Sequence, residues 1–164
     1  MDEFWESQVE AFWKNCYGKD AVQLRKELEQ LLAGMDPKDP RVLFEIASLH
    51  DFLGEEERAV APYQQALDSG LSGQKREEAL IQLASTLRNL GQFHQAISLL
   101  QLFPSTSELH ADAQGFLALA LLDAGHSAEA VRTAVTALAP HTRLYARALT
   151  AYAQDLSVPG VAQA

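Results

Sequence analysis

A chain of 164 residues, 48% hydrophobic and 21% charged, is the size of one domain and can bury a core without metals or disulfides, which excludes a disordered or fibrous chain. Thirteen Lys and Arg against 22 Asp and Glu leave a net charge of −9, and no basic cluster offsets it, so the field repels phosphate backbones and excludes nucleic acid as a partner. Cys16 is the single cysteine, which rules out an internal disulfide and fits a reducing compartment.

The acidic start MDEFWESQVE lacks the basic residues and continuous apolar core of a secretion signal, and no run of 18 apolar residues occurs anywhere, so the expected location is the cytoplasm, away from membranes. Within that first stretch Trp5, Val9, Phe12, Trp13 and Cys16 recur at helical spacing. YGKD then turns the chain, and Asp20 is placed to cap a second helix carrying Leu24, Leu28, Leu31 and Met35. Residues 1–35 read as a helix pair whose aromatic stripe belongs to the core; the competing reading is that two tryptophans there bury a partner or a second copy of the chain.

After GMDPKDP the sequence repeats itself. ASLHDFLGEEERA (47–59), ASTLRNLGQFHQA (84–96) and ALALLDAGHSAEA (118–130) share one frame, with alanine first, glycine eighth and alanine thirteenth. Apolar residues keep the spacing of a helix face on both sides of each glycine: Leu43, Ile46, Ala47 and His50, then Ala59, Tyr63 and Ala66 in the first copy. The second copy has Leu80, Leu83, Ala84 and Leu87, then Ala96, Leu100 and Phe103; the third has Leu117, Ala118 and Leu121, then Ala130, Ala134 and Ala137. Each copy is two helices joined at a glycine that supplies a left-handed backbone, and the alanines let the helices approach closely.

Gly54 to Gly91 is 37 residues and Gly91 to Gly125 is 34, the period of a helix–turn–helix array. With those residues in those slots, the chain from about 40 to 139 resembles the tetratricopeptide repeat family. GLSGQKREEALIQLASTLRNLG and FLALALLDAG resemble more narrowly a group of small, mostly bacterial members without an assigned biochemical role. The Trp slot of the pattern is Leu43, Leu80 and Gln114, and its proline is replaced by Leu71, Glu108 and Thr142, while Pro104 and Pro140 are expected to end their helices early. The resemblance implies an all-α fold, a right-handed α-α superhelix of antiparallel hairpins. The expected organisation is a single domain over 1–156, with repeats at 40–73, 77–104 and 111–140 and a capping helix over 142–156. That helix sets Leu144, Ala148 and Ala151, with Tyr145 or Tyr152, on its packing side, and residues 157–164 form a flexible tail.

Such arrays bind peptides along their first helices. By helical phase, the residues taken as opposite the packing alanines are Phe44, Ser48, Asp51 and Phe52; Ile81, Ser85, Arg88 and Asn89; and Gly115, Leu119, Leu122 and Asp123. All of these but Gly115 are the candidate docking residues, marked by exposure of Phe44, Phe52, Ile81 and Arg88. Arg88, at matched height with Asp51 and Asp123, is either a register-holding bridge or the fork that receives a partner's carboxylate or carbonyl. The basic clamp with which some tetratricopeptide domains hold acidic chaperone tails is missing, since its slots carry Phe44, Ser48, Gln82, Asp112 and Phe116.

His50, His94, His110, His126 and His141 lack the spacing of metal ligands or of acid–base pairs, and no phosphate loop, dinucleotide fingerprint or nucleophile elbow occurs, so no enzyme, metal or cofactor is expected. The function indicated is a scaffold that binds a protein or peptide of unknown identity. The alternative is a self-assembling helical-repeat protein, homodimeric or larger, that buries the Trp5 and Trp13 end or the third copy's Ala and Leu rich face.

Overall fold

A computed structural model describes residues 2–156. The first turn after MDEFWESQVEAFWK ends α1 (Asp2–Lys14), and Asp20 opens α2 (Ala21–Leu32) by accepting the Gln23 N–H at 2.8 Å. A side-chain oxygen at this position satisfies one of the four N–H groups that a helix start leaves without an intrahelical partner. Asp39 does the same for α3 (Pro40–Phe52), accepting the Arg41 N–H at 2.9 Å, with Pro40 in the first helical position, where its missing N–H costs nothing.

Three helices stop the same way. Gly54, Gly91 and Gly125 have φ of +70°, +75° and +87°, and their N–H groups reach back to the carbonyls of Asp51, Arg88 and Leu122 at 2.9, 2.9 and 3.0 Å. The next N–H, of Glu55, Gln92 and His126, reaches five residues back to His50, Leu87 and Leu121 at 2.9, 2.8 and 2.8 Å. This is the double closure that a left-handed glycine permits, and it turns the chain at once into α4 (Glu56–Asp68), after α5 (Gly73–Asn89) into α6 (Phe93–Gln101), and after α7 (His110–Asp123) into α8 (Ser127–Leu138). The fold is all-α, a helical repeat with no strand among the described residues.

The backbone groups into two compact units, Met1–Lys75 and Arg76–Ala164. In the first, α1 packs on α2, α2 on α3 and α3 on α4. Its core joins Phe12, Cys16, Leu24, Leu28 and Leu49, flanked by Trp13, Leu31, Leu32 and Leu53. Ala59, Tyr63 and Ala66 on α4 are fully buried, as their spacing predicts. Trp5 and Trp13 face inward: Trp5 is buried, with the Arg41 guanidinium 5.4 Å from its ring centre, and half-buried Trp13 stacks edge-on against Phe12.

In the second unit α6 packs on α7, α7 on α8, and α8 on α9 (Ala146–Gln154). Ala84, Leu87, Ala96, Leu100, Leu117, Leu121 and Ala130 are buried, each fully buried Leu contributing about 1.5–3 kcal/mol. The second hairpin is short: α6 ends at Gln101, and FPSTSELH stays outside helix until His110.

The end of the chain departs from the expected pattern. A 3-10 turn at Ala139–His141, closed by the Thr142 hydroxyl on the Ala139 carbonyl at 2.8 Å, delays α9 to Ala146. The delay shifts the helical phase, so Leu149 and Ala153 are covered while Leu144, Tyr145, Ala151 and Tyr152 are exposed. Ala134, placed by spacing in a packing slot, is exposed as well. Arg132 holds α9 down by donating from Nε to the Ala153 carbonyl at 3.3 Å and from Nη2 to that of Leu156, a cation set against a helix C-terminus. The expected tail 157–164 lies outside the described residues.

Candidate docking surface

Helical phase decides which expected docking residues reach solvent. Phe52, Asn89 and Asp123 each lie five residues after the frame alanine, about 140° round the helix, and all three are exposed. Phe44 and Ile81 each lie three residues before it, only about 60° away, and are 3% and 7% exposed. The expected exposure of these two is therefore overturned. Phe44 packs with its ring 6.1 Å from that of Tyr63, beneath the Lys75 ammonium at 4.9 Å.

In the second unit, α5 presents half-buried Ser85 and Arg88 with exposed Asn89, and α7 presents exposed Leu119, Leu122 and Asp123. Arg88 Nε donates to Asp123 Oδ2 at 2.6 Å, so of the two roles considered for Arg88 a bridge between first helices of successive copies is formed. That bond uses one of the guanidinium's five N–H groups, and Arg88 makes no other polar contact among the described residues.

In the first unit, Ser48 lies 3.4 Å from the hydroxyl of Tyr63, whose ionisation burial drives well above its ordinary range. Asp51 is half-buried on the same helix. Exposed Phe52 stands edge-on to Trp13 and Tyr17 at ring separations of 6.0 and 5.9 Å.

The spacing of single residues missed two polar clusters here. Glu45 is fully buried on α3, where its carboxylate accepts the Trp13 Nε1–H at 2.7 Å and the Lys75 ammonium at 2.9 Å. A signal existed: Glu45 shares the helical stripe of Val42 and Leu49, both buried. The second cluster gathers around Glu55, just after Gly54, which accepts from Arg25 at 2.5 Å and meets His50 Nδ1 at 2.7 Å and Arg58 at 3.5 Å. Arg25 first and His50 second hold its carboxyl down at about 2. Beside this cluster a cleft of about 530 Å³ opens between α2 and α3, with apolar walls including Leu28, Leu32, Met35 and Ile46.

No group of three or more metal-ligating side chains occurs among the described residues, and none of their helices is long and apolar enough to cross a membrane. A family model described as tetratrico peptide repeat matches residues 40–156. No curated protein sequence matches the chain.

Proposed function

The chain belongs to the tetratricopeptide repeat family, non-catalytic scaffolds that generally mediate protein–protein interaction, and from that premise we propose that it docks an extended peptide segment on the first helices of its repeats. The observation that carries the reading is the surface of α5 and α7, where exposed Leu119 and Leu122 adjoin the Arg88–Asp123 pair with Ser85 and Asn89 beside it. An aliphatic anchor of the partner covers the two leucines. Ser85 and Asn89 hydrogen-bond its backbone, and the unused N–H groups of Arg88 receive a carbonyl, or a carboxylate that displaces Asp123. In the first unit Ser48, Asp51 and Phe52 present the same kinds of group, with Phe44 packed beneath them. The reading needs no cofactor and no catalysis, and the buried thiol of Cys16 favours a cytoplasmic setting.

The experiment is a pull-down from lysate of the source cells, with fluorescence anisotropy of the recovered partner's peptide against wild type, Leu122→Asp and Arg88→Ala. Loss of at least about tenfold in affinity for both variants is expected, since a hot-spot contact is worth about 1.4 kcal/mol or more. Unchanged affinity in both removes the docking surface.

A further inference from the structure

The charge of this acidic chain is unevenly placed. Residues 2–10 hold Asp2, Glu3, Glu6 and Glu10 with no Lys or Arg, whereas residues 127–156 hold three Arg against Glu129 and Asp155 and are net positive. Each of these stretches also leaves an aromatic uncovered beside its charges. On α1, Phe4 is 71% exposed and shares a helix face with Ser7, next to the exposed stripe Glu3, Glu6 and Glu10. At the other stretch Tyr152 on α9 is 71% exposed and Leu144 82%, and Tyr145, the residue just before the helix, is 69% exposed. Arg143 and Arg147 flank them, both exposed and without an ion pair or hydrogen bond among the described residues.

We propose that copies of the chain associate head to tail, the exposed face of α1 in one copy seating on the exposed face of α9 in the next, Phe4 against Leu144 and the tyrosines, and Glu3 and Glu6 against Arg143 and Arg147. Charge selects this pairing over the alternatives. Like ends meeting would set acid against acid or arginine against arginine, which costs free energy, while the unlike pair attracts and desolvates Phe4, Leu144 and the two tyrosine rings. The two patches differ, so the contact is heterologous, and it either closes as a reciprocal pair or propagates as an open chain. It is a small interface, in the weak class below about 1,200 Å², and is read at high protein concentration. It uses neither Arg88 nor Leu122, so its failure leaves peptide docking on α5 and α7 untouched.

The test is sedimentation of the full chain over about 1 to 300 μM at low and high salt, spanning the range in which a micromolar contact populates. Average mass is expected to rise with concentration and to fall with salt as the charges are screened. A head-blocked variant, Phe4→Ala with Glu6→Lys, and a tail-blocked variant, Tyr152→Ala with Arg147→Glu, are each expected to stay monomeric, with helical circular dichroism unchanged because all four positions are exposed. Mixed one to one, they are expected to form a heterodimer that grows no further, because each retains the face the other lacks. A wild type that stays monomeric, self-association surviving in either variant, or no heterodimer on mixing overturns the proposal. So does a monomeric full chain that associates only after truncation at Leu156, since the occupant of the α9 face is then the chain's own tail.

Discussion

The indole Nε1 of Trp13 donates to Glu45 Oε2 at 2.7 Å across 32 residues of sequence, and the other oxygen of that carboxylate holds the Lys75 ammonium at 2.9 Å. One buried charge thus ties α1, α3 and the first turn of α5 together inside the first unit. A buried ion is tolerated only while both oxygens stay paired, because leaving water costs several kcal/mol per ion. Glu45→Ala is expected to lower stability by about 3–5 kcal/mol, since it strands an ammonium and an indole N–H. The double replacement Glu45→Leu with Lys75→Met is expected to recover part of that loss, because the ammonium is gone while the Trp13 N–H still lacks its acceptor. Urea denaturation of the three proteins checks this, and equal losses in single and double variants would refute the account.

Arg88 and Asp123 form a different kind of pair. Their side chains are 27% and 32% exposed, so water screens the attraction. A double-mutant cycle with Arg88→Ala and Asp123→Ala is expected to return a coupling of about 0.2–1 kcal/mol. A coupling near zero would deny the bridge any part in holding α5 against α7.

Glu55 sets a pH window. Its folded pKa of about 2 lies below the usual 4.5, so the stabilisation by Arg25 and His50 is complete above 4.5 and is lost as pH falls from 4.5 toward 2. The stability difference between wild type and Glu55→Gln is expected to shrink as pH falls from 4.5 toward 2. Thermal unfolding at stepped pH measures it, and a difference that persists to the acid end would mean that these ion pairs do not act in solution.

Two glycines make opposite forecasts. Gly91 has φ of +75° with nothing within 4 Å of an added Cβ, so Gly91→Ala meets only backbone strain and is expected to cost about 1–2 kcal/mol. Gly115 sits inside α7 at ordinary helical φ with the same open surroundings, and Gly115→Ala is expected to stabilise by about 0.5–1 kcal/mol through lost freedom of the unfolded chain. Melting temperatures of opposite sign relative to wild type are the expected outcome.

What the amino-acid sequence determined by itself was the local order of the chain: the helix pairs, their corners at Gly54, Gly91 and Gly125, the Asp20 cap and the buried alanines. Those features rest on bonds and contacts within about five residues, which periodicity and glycine placement report directly. The surface was less legible. Phe44 and Ile81 look available at a glance but lie too near the packing alanines in phase, and the 3-10 turn before α9 rotates Leu144 and Tyr152 out to solvent.

Only the tertiary structure decided which distant partners meet. The pairing of Glu45 with Trp13 and Lys75, of Glu55 with Arg25, and of Arg88 with Asp123 spans 30 or more residues in each case. Many acids and bases stand at equally suitable spacing, and the choice among them is made by which helices pack and how far each side chain is withdrawn from water.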